Sequence, residues 1–515
     1  MSIFKEAKGR TLYRMMSISS SLAFCMYGFD SGVLGGLQET DAYLKALQYP
    51  KGSYIIPMIA SSYTLAAAVG SLTVMMFGMV LGRRYCIVIG NFCAIIGAVL
   101  QASSWSVPQM IVGRVGFGLG VRFSLIFRMT LGESDPSFKA LACTDIFGLR
   151  VEMSIDSKAR GPEVAIQCAV LISGIALAYW VDFGFTRMDN QISWRIPIGL
   201  QAVFAIISVY GMLLLPDTPR WYYATNRIEE GDNVLARLHG LPLDNDRVQA
   251  QKEEIQASIR LEESEKSKFN MSLLLWDTTD LRIGRRIRIA FLILSIKQMM
   301  GINMMVYYSP TIFAQVGLSP FLSQLLAAVM MTIYACGTYL LPSTIERLGR
   351  RSILLWSAIA CTILMLIFVV MIGLENRTLA TQWTAVAAVI SFMFVFGYSW
   401  IGITWLYTAE IAPLKYRHVG AAAGAFGEWT FSFITVFGGG TAITNVGWKI
   451  YIWQLLSCAT AVVFIYFMCP ETNGKTLEEI DLLFAVDSVR DTILAGQIIH
   501  NHKGEATSER IEWVA

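Results

Sequence analysis

The chain has 515 residues, 55% of them hydrophobic and only 15% charged, with a formal net charge of +3. A soluble domain carries about 25% charged residues, so an ordinary soluble globular protein is excluded. The small positive balance gives no reason to expect a nucleic-acid partner.

The N-terminal MSIFKEAKGRTLYR is basic but has no small-residue cleavage site before the first apolar run, which therefore reads as a retained helix. Apolar runs near 14–36, 54–77, 86–104, 108–130, 163–185 and 194–215 are each long enough to cross a bilayer as a helix. The polar stretch 216–285 contains EEGDN, DNDR and RLEESEKSK, and its helically spaced apolar residues predict short surface helices. Six more runs, near 286–308, 322–344, 353–374, 384–408, 420–442 and 450–468, bring the count to twelve, split six and six. LGRR occurs at 81–84 and again at 348–351, and LPDTPRWYY (215–223) and CPETNGKTLEEID (469–481) close the two halves. Repetition over half a chain predicts a duplicated membrane bundle, in which a transport site lies between the halves. The expected units are an N-terminal bundle 1–215, a loop 216–285, a C-terminal bundle 286–468 and a tail 469–515. The nine cysteines lie mostly in apolar runs without metal-ligand spacing and read as packing residues.

Lys and Arg in short loops set orientation. Arg83, Arg84, Arg347, Arg350, Arg351, Lys415 and Arg417 share a side with Lys5, Lys8, Arg10 and Arg14. That side is predicted to be cytosolic, with both termini and the 216–285 loop on it. The sequon Asn376-Arg377-Thr378 is predicted to face outward.

Asp30 lies in the first span, within YGFDSGVLGG (27–36). An acid deep in a spanning helix is costly unless paired or protonated, which makes it a functional candidate. Its natural partner is Arg114, in IVGRVGFGLG (111–120) of the fourth span. The seventh span reads KQMMGINMMVYYSP (297–310), with Gly301 weakening the helix and Pro310 ending it. Gln298 and Asn303 in that phrase carry amides, which donate and accept as a sugar hydroxyl does.

PDTPRW, GINMMVYYSP and PETNGKTLEEID together resemble the sugar porters of the major facilitator superfamily, in a form typical of fungal hexose and disaccharide permeases. The resemblance covers about residues 14–121 and 152–484. It implies an all-α membrane protein with twelve transmembrane helices in two pseudo-symmetric six-helix bundles, the major facilitator fold. It implies uptake of a mono- or disaccharide by alternating access, coupled to protons. The sugar contacts it implies are Gln298 and Asn303, Gln167 in the fifth span seven residues after Arg160, and Trp405 in SWIGITWLYTAEIAPLKYR (399–417), stacking on the apolar sugar face. Gln298, Asn303, Gln167 and Trp405 are expected to line one central cavity. Tyr307 and Tyr308 match a lid facing outside. In proton symporters of the family the acid at Asp30 carries the proton, with Arg114 as its switch; the alternative is a static ion pair fixing two helices, as in facilitators. Lys297 and Glu428 stand on expected sugar-contact positions. They read as an ion pair shaping the cavity wall, or as a charge that binds a substrate such as a sugar acid. A latch at the cytosolic helix ends is implied for Arg83, Arg84, Glu152 and Arg160 in the first half, and for Glu346, Arg347, Arg350, Arg351, Glu410 and Arg417 in the second. Met79 and Val80 stand where the first half should carry an acid and a base.

Residues 122–151 do not resemble the family. Arg122 and Arg128 enter the apolar zone without an evident partner. An irregular or displaced segment is expected after about residue 121, rejoining the fold near Glu152. It reads either as a genuine insertion or as translated intron or mis-spliced exon.

No HExxH, GxSxG or metal cluster occurs, and His239, His418, His500 and His502 fall in loops or the tail, so neither an enzyme nor a cofactor is expected. The expected partners are a sugar, protons and the bilayer, with no nucleic acid. The chain is expected to be a monomer, multi-pass in the plasma membrane. Two rivals stand beside transport: a sugar sensor that signals without transporting, and an inactive product of the disrupted fourth span.

Overall fold

The computed structural model describes residues 9–81, 83–134, 160–214, 216–217, 219–264, 277, 279–376, 378–412, 416–475 and 477–486. In the N-terminal half, α1 (Gly9–Leu37) and a short α2 (Asp41–Ala46) are followed by α3 (Ile55–Leu81), α4 (Arg83–Ala102), α5 (Val107–Ser134), α6 (Arg160–Phe185) and α7 (Ile192–Leu214). Three shorter helices follow, α8 (Pro219–Ala224), α9 (Ile228–His239) and α10 (Asp246–Ser264). The C-terminal half contains α11 (Ile283–Met299), α12 (Ile302–Val316), α13 (Pro320–Leu348), α14 (Arg350–Gly373), α15 (Leu379–Ile411), α16 (Arg417–Asn445) and α17 (Ile450–Met468), and α18 (Leu477–Phe484) ends the described chain. Setting aside the polar α8–α10 and counting α11 and α12 as one broken span, the described helices of 19 residues or more number twelve. Seven of them, among the described residues, are long and apolar enough to cross a membrane. In hydrocarbon every backbone N–H and C=O must be satisfied within its own segment, which is why the apolar runs form helices.

The two halves repeat one pairing pattern. In the first half α4 packs on α5, α1 on α6, α3 on α5 and α4 on α7; in the second, α14 packs on α15, α11 on α16, α13 on α15 and α14 on α17. These are the same four pairings in each set of six. Across the interface α6 meets α13, α3 meets α16, and α1 meets α12. The first two contacts exchange under the internal two-fold, as a duplicated bundle requires.

Small residues permit the closest crossing. A Cβ on Gly28 of α1 would stand 1.8 Å from the Leu171 carbonyl oxygen of α6, and one on Gly174 would stand 2.3 Å from the Cys25 carbonyl oxygen. Backbone meets backbone here, the small-residue packing that brings helices together in a lipid setting. Outside the bundle, Tyr223, Leu235, Val248 and Ile255 form a small separate core for α8–α10, and Lys252 pairs with Asp232 at 2.8 Å.

One expectation is corrected. The fourth span does not turn irregular after residue 121; α5 continues as helix to Ser134. RFSLIFRMTLGES is rich in good helix formers and lacks proline, so the backbone continues the hydrogen-bonded ladder. Residues 135–151, like Glu152, lie outside the described residues.

The α1–α6 crossing generates a stability prediction. Gly28→Val should overpack it and cost about 1–3 kcal/mol, read as a lowered melting temperature of the detergent-purified protein. An unchanged melting temperature would contradict the close crossing.

Candidate functional site

Asp30 on α1 and Arg114 on α5 are both fully buried. Arg114 Nη1 donates to Asp30 Oδ1 at 2.7 Å, and Nη2 donates to the Ala60 carbonyl of α3 at 3.3 Å. The guanidinium also lies 4.9 Å from the Tyr63 ring centroid. The pair is single rather than bidentate: Asp30 Oδ2 and Arg114 Nε have no hydrogen-bond partner. The Tyr307 phenol of α12 adjoins this guanidinium and Ser31. An ion pair inside the first half is thereby in touch with the helix that forms the interface.

A backbone break organises the second cluster. Gly301, at φ +83°, ends α11 and starts α12 in the left-handed region that glycine adopts without penalty. A second departure follows at Tyr308 (φ −125°, ψ 20°), two residues before Pro310. Around the break, Lys297 Nζ lies 2.6 Å from Glu428 Oε1 of α16, and Gln298 Nε2 donates to the same oxygen at 2.6 Å. Lys297 also lies 5.4 Å from the Trp405 ring centroid of α15. Asn303 Nδ2 donates to Ser432 Oγ at 2.6 Å. Thus Lys297, Gln298, Glu428 and Trp405 form one group, and Asn303 faces α16 just beyond the break. Gln167 is half-buried on α6, where its neighbour Cys168 approaches the Ile401 carbonyl of α15 at 3.8 Å. Two acceptors in the group, Gln298 Oε1 and Glu428 Oε2, are buried without a hydrogen-bond partner. Unmet buried acceptors are costly, and donors from a ligand would satisfy them.

At the end of the bundle carrying residues 38–57 the halves are tied together. Gln38 Nε2 donates to the Tyr307 carbonyl at 2.5 Å. The Tyr179 hydroxyl of α6 bonds the Val306 carbonyl and lies 2.7 Å from Ser309 Oγ. Thr311 bonds Glu39, and within the second half the Tyr308 hydroxyl donates to the Val436 carbonyl at 3.0 Å. Tyr307 and Tyr308, the pair matched to a lid, are 1% and 4% exposed. This end is closed over them.

The opposite end carries a network on Arg350. Its guanidinium donates to Glu346 at 2.9 and 3.0 Å, to Glu410 at 3.0 and 3.2 Å, and to Asn473 at 2.5 Å. Glu471 accepts from the backbone N–H groups of Arg350 and Arg351 at 2.8 and 2.9 Å, capping the start of α14. The Arg351 side chain donates to the Tyr466 carbonyl at 2.9 Å. Arg347 is exposed. The side chains of Arg83, Arg84, Arg160 and Arg417, and all of Glu152, lie outside the described residues, so only the latch of the second half has a described geometry. Outside the spans, the Asp277 carboxyl lies below the usual range: partial burial raises it, but hydrogen bonds from Thr279 and the Arg285 amide outweigh that.

Sequence reasoning did not single out Glu471, Asn473, Ser432, Gln38, Tyr179 or Ser309. The first two stand in the quoted phrase CPETNGKTLEEID, which offered a signal. Ser309 likewise stands in KQMMGINMMVYYSP (297–310), and the remaining three are common polar residues whose partners are far away in sequence.

The family model described as "Sugar (and other) transporter" matches residues 16–484. The MFS-type transporter oryC of Aspergillus oryzae is 30% identical over 472 residues, covering 90% of this chain and 84% of that protein. The sugar transporter STL1 of Saccharomyces cerevisiae is 29% identical over 494 residues, covering 93% and 82%. Among solved structures, the proton:xylose symporter XylE of E. coli, bound to 6-bromo-6-deoxy-D-glucose, superposes with a TM-score of 0.73 at 20% identity, covering 92% of this chain and 99% of that one. This last likeness speaks for the fold alone.

The Lys297–Glu428 pair predicts strong coupling. Lys297→Met or Glu428→Gln alone should cost about 3–5 kcal/mol by stranding the other partner, whereas the double substitution should recover most of that loss. Thermal unfolding of the four proteins closes the cycle; additive losses would contradict the pairing.

Proposed function

Because the chain belongs to the sugar (and other) transporter family, we propose that it takes up a mono- or disaccharide by alternating access, with proton coupling. The observation that carries this reading is the pair of unpartnered acceptors, Gln298 Oε1 and Glu428 Oε2, beside the Trp405 ring. A pyranose offers O–H donors around its rim and C–H bonds on a face, so amide, carboxylate and indole together suit it. In this reading Asn303 on α12 and Gln167 on α6 supply further amides to the sugar. Lys297 holds Glu428 in position and cancels its charge, which favours a neutral substrate over a sugar acid.

The tight end, with Tyr307 and Tyr308, is the outer gate in this reading, and the Arg350 network is an inner latch. Both termini and α8–α10 then face the cytosol, in the plasma membrane, and one chain suffices for the cycle. Asp30 is the proton carrier: with Arg114 bound to it the carboxylate is met, and when Arg114 withdraws, the carboxylate must take a proton or stay unpaired in an apolar setting. The contact of Tyr307 with Arg114 supports a mechanical link between gate and carrier.

Labelled-sugar uptake tests both parts. Asn303→Ala should weaken the apparent affinity by about 1–3 kcal/mol, and unchanged affinity would count against this site. Asp30→Asn should abolish pH-driven accumulation while leaving exchange of sugar across the membrane; accumulation that survives it would refute the carrier role. A protein that is stabilised by sugar yet moves none would be a sensor instead.

A further inference from the structure

Asp182 lies in the last turn of α6 and is 1% exposed, yet no salt bridge reaches it among the described residues. Neither carboxyl oxygen makes a well-formed hydrogen bond, and the backbone N–H of Gly36 is the polar group that approaches it. The backbone of Gly36 in α1 faces the carboxyl so closely that a Cβ there would stand 2.4 Å from Asp182 Oδ2. The side chain edges a small recess lined by Gly36, Tyr179, Phe183, Pro310 and Gln324. The recess therefore lies between α1 and α6 of one half and α12 and α13 of the other.

The charges around it are committed elsewhere. Tyr179, one turn earlier on α6, bonds Val306 and Ser309. Glu39, beyond the end of α1, is bonded by Thr311 of α12. Arg187, after α6, lies over the Phe183 and Phe321 rings at 4.4 and 5.1 Å. Arg195 of α7 donates to the Ala102 and Ser104 carbonyls. Gln324 of α13 accepts from Thr186 and carries no charge. The helix ends add to the cost of a negative charge: α1 and α6 both present their C-terminal carbonyls here, with no basic residue in either last turn. A bare carboxylate in this position is unmet by any cation, so closing the halves around it costs free energy that closing around the neutral acid does not.

We propose that Asp182 is a proton-binding site of the outer gate, separate from Asp30, which must be protonated for this end to close. The gate contacts of Tyr179, one turn away, assemble around the neutral side chain. Opening this end exposes Asp182 to the outer solution, where the carboxylate is hydrated and the proton leaves. Acid outside therefore favours closure, and the closed state is lost as the pH rises. One proton is taken from the outer solution on closing and returned to that side on opening, so the step sets the gate's response to outer pH without moving charge across the membrane. The inference rests on the alternating-access reading, but its test requires no sugar and no transport.

Spin labels introduced as unnatural amino acids at Met188 and Leu379, which are 47% and 71% exposed, report the separation of the two halves at this end. The measurement is made in detergent between pH 5 and 8, in a chain carrying Asp30→Asn so that the carrier does not titrate. The ratio of short to long separations should rise by up to about tenfold per unit fall in pH. With Asp182→Asn added, the short separation should dominate at every pH. If Asp182→Asn does not fold, Asp182→Ser serves the same comparison. A pH-independent distribution with Asp182 intact, or an unaltered pH response in either neutral variant, would overturn the proposal. Failure of sugar uptake would instead overturn the transport reading and leave these distances as they are.

Discussion

A charge carried into an apolar bundle must be met there by an opposite charge, and that constraint explains where this chain keeps its polar residues. Arg114 meets Asp30 at 2.7 Å with both side chains fully buried. Lys297 meets Glu428 at 2.6 Å beside the break in the seventh span, and Arg350 meets Glu346 and Glu410 where the helices end. The first two pairs tie helices that are remote in sequence, and Arg350 joins the ends of the consecutive helices α13, α14 and α15. Removing one partner strands the other, whereas moving the partners apart together changes the shape of the bundle. All of them lie within one half or the other, so they hold the helices of each bundle together as a body. Asp182 departs from the pattern as a buried acid that no salt bridge reaches among the described residues, which is the ground for the gate role proposed for it.

The second constraint is that a continuous helix spends its backbone N–H and C=O groups on its own ladder and offers none at the middle of the bundle. The break at Gly301 relieves it. Because α11 and α12 meet there at a left-handed residue, Lys297 and Gln298 on one side and Asn303 on the other turn toward α16. Tyr307, one turn further on, reaches Arg114 and Ser31 in the other half, and its carbonyl receives Gln38 from the end of α1. One broken helix therefore touches the amide cluster, the Asp30–Arg114 pair and the closed end. A motion of α12 acts on all three.

Much of this was legible in the sequence, for physical reasons that differ by feature. The spans were legible because bilayer thickness sets the length of an apolar run, although helices such as Leu379–Ile411 extend beyond the run read near 384–408 as polar ends continue the ladder. The fold class followed from the count, the doubled LGRR and the family resemblance. The helix over 122–134 was less legible, because the charges of Arg122 and Arg128 argue against a regular span while RFSLIFRMTLGES has no proline to end it. The Lys297–Glu428 contact was legible because two opposite charges in apolar surroundings compel each other. The contacts of Gln38 with Tyr307 and of Tyr179 with Ser309 were not, because their partners lie 269 and 130 residues away and no composition rule links them. Asp182 was passed over although it stands inside the apolar run near 163–185, where the argument applied to Asp30 would have found it.

In the transport cycle proposed for this chain, movement of sugar and movement of protons are one process. Purified protein in liposomes with an internal pH dye, and no imposed gradient, tests it directly when a panel of neutral sugars is added outside. At least one sugar should acidify the lumen as it enters, in fixed ratio to the sugar taken up, and Asp30→Asn should remove the acidification. Sugar entry with no accompanying change of internal pH would contradict the coupling.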